Sequence, residues 1–169
     1  MSRKRFGEMN CSVAQALEVL GDWWTLLIIR DAFLGTRRFA DFQRNLDVAR
    51  NILSERLRHL VQNGVLEKVD AGEFGTRFEY QLTPKGKDLF TLITALRQWG
   101  DRWIFGEGKE PLLVVDARTG LPLPRLRVHD DEGRIVEARN VAVRPGPGAD
   151  AATRGRFAQA GSRRKRGAD

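Results

Sequence analysis

Hydrophobic positions along the first hundred residues recur first at helical spacing and then at strand spacing. The helical part predicts a first helix, a second that is apolar on nearly every side, a short third, a three-residue break and a fourth. Alternating apolar and polar residues then predict two strands, and Thr83-Pro84 begins a further helix. The predicted helices are Ser12–Leu20, Trp23–Leu34, Phe39–Leu46 and Arg50 to the Asn63-Gly64 stop, and the predicted strands are Val65–Val69 and Phe78–Leu82.

The fourth predicted helix has one apolar and one polar face. Residues three and four apart share a face of a helix, so its leucines point to one side and its polar residues to the other. The apolar side carries Leu53, Leu57 and Leu60, and the polar side carries Asn51, Ser54, Glu55, Arg58 and Gln62. A short helix, a break, a helix of this kind and two strands around a polar loop are typical of a winged helix-turn-helix, a DNA reader.

The helix that follows Pro84 carries an apolar stripe through about five turns. This is more apolar surface than a small winged-helix domain covers by itself. The stripe consists of Leu89, Leu92, Ile93, Leu96, Trp99 and Trp103. We therefore expect a second chain to cover it, which makes the protein a homodimer.

Beyond Pro111 the pattern changes to short apolar runs separated by turn clusters at Thr119-Gly120 and residues 130–133. These runs predict a small antiparallel β appendage, and the Arg-, Ala- and Gly-rich end predicts disorder. The predicted fold class is mainly α with a small β part. The predicted domains are an N-terminal arm (1–10), a winged helix-turn-helix DNA-binding and dimerisation domain (11–108), the β appendage (109–145) and a disordered basic tail (146–169).

The net charge of +7 favours a polyanionic partner, but it is unevenly distributed. Residues 1–110 hold 17 basic and 15 acidic side chains, whereas residues 111–169 hold 12 and 7. DNA binding must therefore be argued from the position of individual basic residues. The chain has no apolar run of the ~18 residues that a membrane span needs, and its first ten residues lack the apolar centre of a signal peptide. We expect a cytoplasmic protein with no membrane partner.

Several motifs in one register resemble the HxlR-type regulators, winged-helix relatives of the MarR group. The motifs are Cys11 ahead of a helix, Gly21-Asp22-Trp23-Trp24-Thr25-Leu26-Leu27, Arg37-Arg38-Phe39, Leu53-Ser54-Glu55-Arg56-Leu57, Gly64-Val65-Leu66, Glu79-Tyr80-Gln81-Leu82-Thr83-Pro84-Lys85-Gly86 and Trp99-Gly100-Asp101-Arg102-Trp103. They cover roughly residues 11–105. The resemblance implies a dimeric bacterial transcription factor, often a repressor, that responds to oxidants, electrophiles or small aromatic compounds.

The candidate DNA-binding residues lie on and beside the fourth helix. Arginine and asparagine read guanine and adenine in the major groove, and serine holds phosphates, so Arg50, Asn51, Ser54 and Arg58 are expected to contact DNA. The alternative for this group is a solvated helix face. Arg77 is expected to enter a minor groove or, alternatively, to pair with Glu79 or Glu73. Arg37, Arg38 and Arg44 are expected to contact phosphates, whereas Arg56 lies nearer the core, where an internal carboxylate is its alternative partner.

Cys11 is the single cysteine, so only a free thiol or a link between chains is available to it. At the start of a helix, backbone amides and the helix dipole lower a thiol pKa, which favours a redox or electrophile switch. The alternative is a small residue that fills space near the helix cap. An aromatic effector pocket beside the long helix is a further hypothesis. No metal or cofactor is expected, because Thr119, His129 and Glu132 stand where the zinc-ribbon-like tail of some relatives would have cysteines.

Together these residues predict a sequence-specific, dimeric transcriptional regulator, a repressor of an inverted-repeat operator. The alternative keeps the fold but makes it a protein-interaction module without specific DNA readout. An enzyme is disfavoured, because His59 and His129 are the only histidines and the chain has neither a phosphate loop nor a nucleophile pattern. The expected partners are double-stranded DNA, a second copy of the chain and a small-molecule effector whose identity the sequence does not specify.

Overall fold

The computed structural model describes residues 6–72 and 78–166, and it describes side chains as far as residue 158. The chain divides into two compact units. One unit spans residues 19–126 and contains the winged helix-turn-helix. The other combines residues 1–18 with residues 127–169.

The first unit contains most of the regular secondary structure. The α-helices among the described residues are α1 (Ser12–Leu20), α2 (Trp23–Phe33), α3 (Phe39–Leu46), α4 (Arg50–Gln62), α5 (Pro84–Lys87), α6 (Phe90–Gly100) and α7 (Ala151–Arg166), and the strands are β1 (Leu66–Asp70) and β2 (Phe78–Leu82). The predicted bounds of α1, α3 and β2 are confirmed, and those of α2 and β1 differ by one residue. Among the described residues no single helix has the length and apolarity to cross a membrane; α1 and α2 reach them only as a bent pair.

The hydrophobic core of the first unit forms beneath α4. Leu53, Leu57 and Leu60 are fully buried there, as their spacing predicts. They belong to one cluster with Ile28 of α2 and Phe42 of α3, each of which is also fully buried. Because burying a side chain of this size contributes about 1.5–3 kcal/mol, this leucine face fixes which side of α4 is left to solvent.

A three-residue turn at residues 47–49 joins α3 to α4, as predicted. Asp47 has φ 48° and ψ 45°, the left-handed conformation that ends α3. Asparagine and aspartate tolerate this conformation better than other side chains because they form local hydrogen bonds. Val48, the next residue, is buried in the core and anchors the turn.

The two strands form an antiparallel sheet beside α4. Their register pairs Leu66 with Leu82 at one end and Asp70 with Phe78 at the other. Residues 73–77 lie outside the described residues, and they include Arg77, the predicted minor-groove residue.

The long helix predicted after Pro84 is interrupted, which corrects that prediction. The Leu89 amide donates to the Gly86 carbonyl, three residues back, so the chain tightens between α5 and α6 before Ile93 resumes the α-helical pattern by donating to Leu89. At its other end α6 passes into a π-helical turn, Asp101–Phe105. Short-range turns of this kind leave no trace in hydrophobic spacing.

The predicted β appendage is reduced to two single antiparallel bridges, Val115 with Pro122 and His129 with Ile135. The residues between them form turns rather than strands within the described region. The apolar side chains of this segment are largely exposed, Leu113 for example at 66%, so no core is available to extend a sheet. The side chain of Gln98 in α6 holds the first bridge region: it donates to the Pro124 carbonyl at 3.0 Å and accepts from the Leu126 amide at 2.8 Å.

The tail predicted to be disordered contains α7, which corrects that prediction. Alanine and arginine are good helix formers, and their frequency here outweighs the glycines on which the prediction rested. Asp150 caps the helix by accepting from the Thr153 amide at 2.7 Å. Within the same unit, the Asn10 side chain accepts from the Asp150 amide and donates to the Gly148 carbonyl, each at 3.1 Å.

Candidate nucleic-acid interface

The outer face of α4 is exposed and polar. Arg50, Asn51, Ser54 and Arg58 are all exposed. In the part of the chain that the structure describes, none of these four side chains forms an ion pair or a side-chain hydrogen bond. Arg50 lies 5.7 Å from the centre of the Phe39 ring, a contact that orients the guanidinium without neutralising it. The face therefore presents free donors and positive charge.

Arg56, on the inner side of the same helix, has a different role. Its guanidinium lies 3.2 Å from the Asp22 carboxylate, and both side chains are more than four-fifths buried. Asp22 also caps α2, because its carboxylate accepts from the Trp24 amide at 3.0 Å. The alternative that the sequence left open for Arg56, an internal carboxylate partner, is confirmed.

The arginines around α3 differ in their surroundings. Arg37 is half-buried, and its backbone carbonyl accepts from the Tyr80 amide of β2 at 2.8 Å. Arg38 is exposed and lies 3.4 Å from Glu79 of the same strand. Arg44 is exposed and lies 2.6 Å from Asp41, three residues earlier. Exposed ion pairs of this kind contribute only about 0–1 kcal/mol, so DNA phosphates can displace the carboxylates.

A concave surface separates α4 from the sheet, and we call it the α4–sheet groove. Its volume is about 440 Å³. It is lined by Phe39, Arg50, Ser54, Arg58, Val61, Gln62, Lys68 and Tyr80. Lys68 and Tyr80 are not among the site residues predicted from the sequence. The strand register, which pairs Lys68 directly with Tyr80 across the sheet, is the feature that could have identified them.

Two aromatic contacts position the strand residues of this groove. The Lys68 ammonium lies 3.8 Å from the centre of the Phe78 ring. The Tyr80 ring packs edge-on against Phe42 of the core, with ring centres 6.4 Å apart. Burial raises the pKa of the Tyr80 phenol, so its hydroxyl stays protonated and is a hydrogen-bond donor at neutral pH.

Cys11 immediately precedes α1 and is exposed, as a free thiol. The backbone amides of Ala14 and Val13 lower its pKa by hydrogen bonding to the sulfur; slight burial opposes this effect and Arg156 adds to it. A lowered pKa increases the thiolate fraction near neutral pH, and the thiolate is the reactive form.

The predicted dimerisation stripe divides into two groups. Leu89 and Ile93 are half-buried and pack against the core of their own chain. Leu92, Leu96, Trp99 and Trp103 are exposed at 46%, 50%, 57% and 63%. The exposed group alone is thus available to a partner.

A helix-turn-helix whose second helix turns a free basic and polar face to solvent, beside a two-stranded sheet, defines a class of protein. This chain is a transcriptional regulator with a winged helix-turn-helix DNA-binding fold. The comparisons with known proteins identify the family within that class.

Residues 19–107 match the family described as HxlR-like helix-turn-helix, and the chain belongs to that family. This confirms the resemblance seen in the sequence motifs. An HTH-type transcriptional regulator of Mycobacterium tuberculosis strain H37Rv is 42% identical over 137 residues, which are 81% of this chain and 87% of the relative.

Two solved structures extend the comparison. The candidate transcription factor PA1607 is 41% identical with a TM-score of 0.78, over 85% of this chain and all of that one. The redox regulator HypR in its oxidised form is 26% identical with a TM-score of 0.51, over 54% of this chain and 95% of HypR. Both structures are similar to this chain in sequence and fold.

Proposed function

We propose that the protein is a sequence-specific, dimeric repressor that binds an inverted-repeat operator in double-stranded DNA. The observation that carries this proposal is the free outer face of α4. Arg50, Asn51, Ser54 and Arg58 are exposed and form no ion pair with any residue that the structure describes, although 30% of the residues in the chain are charged. A solvated helix face in such a chain would readily acquire i,i+4 charge pairs, whereas a DNA-reading face keeps its donors free.

The exposed stripe of α6 and the π-helical turn supports the dimer. Leu92, Leu96, Trp99 and Trp103 place two leucines and two tryptophans in solvent on one segment of about three turns. Large aromatic and aliphatic side chains of this kind form the centres of subunit interfaces. A two-fold dimer would set the two α4 helices in successive major grooves, about 34 Å apart, which is why we propose an inverted repeat.

Selection of bound fragments from genomic DNA tests the proposed function. We expect the selected fragments to share two half-sites in inverted orientation, with centres about 10 base pairs apart. Gel shifts with the selected operator and a scrambled duplex, repeated over a salt series, give the specificity ratio. Equal affinity for both duplexes would reject specific readout and would favour the interaction-module alternative.

We further propose that Cys11 makes the regulator responsive to oxidants or electrophiles. Its exposure and lowered pKa support this proposal, and the similarity to the redox regulator HypR is consistent with it. The two copies of Cys11 in a dimer, or Cys11 and a small external thiol, would then form a disulfide. Small aromatic ligands are a second class of effector for the same regulator.

Cys11→Ser should abolish release of the operator by peroxide or diamide while leaving affinity under reducing conditions unchanged. In the wild-type protein, alkylation of Cys11 by iodoacetamide should reach half its maximal rate at a lower pH than alkylation of the same thiol in the urea-unfolded chain, because the folded chain lowers the pKa of Cys11 and stabilises the thiolate. Met9→Leu is the matched control, since Met9 is exposed and also oxidisable. Unchanged oxidative release in Cys11→Ser would contradict the proposal.

A further inference from the structure

The α4–sheet groove has an unbalanced charge. Three of its eight lining residues, Arg50, Arg58 and Lys68, carry positive charge, and none of the eight is acidic. No ion pair involves these three cations within the described residues. A surface depression that gathers three unpaired cations attracts a polyanion, because each nearby charge adds to the same local potential.

We propose that this groove holds the sugar-phosphate backbone of one DNA strand, with Lys68, Arg58 and the Tyr80 hydroxyl on its phosphates. The inference rests on the proposed function, and it specifies which residues of the site read bases and which hold the backbone. It also adds two residues from the sheet, Lys68 and Tyr80, to a site that the sequence placed mainly on α4.

The position of the groove follows from how a helix enters DNA. Each wall of the major groove is the sugar-phosphate backbone of one DNA strand. A helix that lies in the groove therefore has a DNA backbone along each flank. The α4–sheet groove is the space on one side of α4, and the β1–β2 sheet closes it. A phosphate strand there would contact α4 on one flank and the sheet on the other.

Aromatic rings hold two of the groove's cations in place without neutralising them. Lys68 rests on Phe78 and Arg50 rests on Phe39. A carboxylate partner would compete with phosphate for each cation, whereas an aromatic face orients the cation and leaves its outward charge available. Tyr80 contributes a neutral donor whose ring is fixed against Phe42.

This arrangement changes the expected role of Arg58 and keeps that of Ser54. Both residues line the groove, so we assign Arg58 to the backbone rather than to a base, beside Ser54. Asn51 is exposed on α4 but does not line the groove, so it is left to meet base edges, whereas the Glu55 carboxylate lies 3.3 Å from Arg56. Backbone contacts set the affinity for any duplex, and base contacts set the preference for the operator.

The test measures operator and scrambled-duplex affinities of the full chain across a salt series. Lys68→Gln and Arg58→Gln should each weaken binding to both duplexes equally and reduce the slope of log K against log salt by about 0.9, one phosphate contact. Tyr80→Phe should weaken binding to both duplexes about tenfold without changing the slope. Asn51→Ala should instead lower the operator-to-scrambled ratio by about tenfold and leave the slope unchanged.

Lys109→Gln is the control, because it removes the same charge from an exposed position outside the groove and should change the slope little. Two results would overturn the inference: an unchanged slope in Lys68→Gln, or an Arg58→Gln variant that loses only operator preference. If the wild-type chain binds all duplexes alike, the proposed function fails. The slope of Lys68→Gln on any duplex would still decide whether the groove holds backbone.

Discussion

Leu96→Asp should dissociate the proposed dimer into monomers and weaken binding to the proposed operator by at least about a hundredfold. The substitution places a charge in the middle of the exposed stripe, where a partner chain would have to desolvate it. A monomer binds one half-site only. It therefore loses the gain in affinity, about 10²–10⁴-fold, that comes from linking two DNA-binding domains. Sedimentation gives the oligomeric state, and gel shifts with the selected operator give the affinity.

Thr91→Asp is the matched control for this variant. Thr91 is exposed on the same helix, about 100° around it from Leu92, so the same charge is added outside the stripe. Leu96 is half-exposed in the single chain, so both variants should retain the helical circular-dichroism signal of the wild type. A dimeric Leu96→Asp variant with normal operator affinity would show that another surface joins the two chains.

Gly86→Ala should destabilise the folded chain by about 3 kcal/mol, a large share of the about 5–15 kcal/mol that holds a domain of this kind together. A Cβ at this position would overlap the backbone carbonyl oxygen of Val65 and approach Leu82 Cδ2 to 2.9 Å. The carbonyl has little freedom to retreat, because it accepts a hydrogen bond from the Thr83 amide at 3.2 Å. Urea denaturation should give a lower midpoint with an unchanged slope.

Gly100→Ala serves as the comparison, because Gly100 is also helical and a Cβ there meets nothing within 4 Å. This variant should be more stable than the wild type by up to about 1 kcal/mol, since alanine favours the helix. The two variants should therefore shift the urea midpoint in opposite directions. A Gly86→Ala variant as stable as the wild type would mean that Gly86 and the Val65 carbonyl lie farther apart than in this structure.

The core of the fold could be predicted from the sequence because local signals and burial agree there. The leucines of α4 recur at helical spacing, and Leu53, Leu57 and Leu60 are among the residues that the core buries completely. The break at residues 47–49 and the alternation through β2 are also visible locally. These elements needed no knowledge of distant contacts.

Other elements depend on contacts that the sequence does not display. Gly86 of α5 approaches Val65, twenty-one positions earlier, and hydrophobic spacing shows neither this contact nor the interruption that follows α5. In the tail, glycine-rich composition suggested disorder, whereas the capped, alanine-rich segment after Asp150 is helical. Composition averages over residues and so misses a single capping contact.

Only part of the candidate site could be predicted, because spacing along the sequence groups the residues of one helix but not those of separate strands. Residues of one helix face could be grouped by their spacing, and Arg50, Asn51, Ser54 and Arg58 are indeed exposed together. Lys68 and Tyr80 come from two strands, and only the strand register brings them beside α4. Their roles, like those of the α4 residues, stay predictions until the variants above are measured.

The ion pair between Arg56 and Asp22 has a mechanical consequence for any signal that reaches this protein. Turning α4 about its own axis would separate two largely desolvated charges and also uncap α2. The ion pair therefore opposes rotation of α4 relative to α2. In the proposed dimer, we therefore expect a stimulus that releases DNA to leave each DNA-binding domain intact. It would alter the spacing and tilt of the two domains, so that both no longer fit one duplex at once.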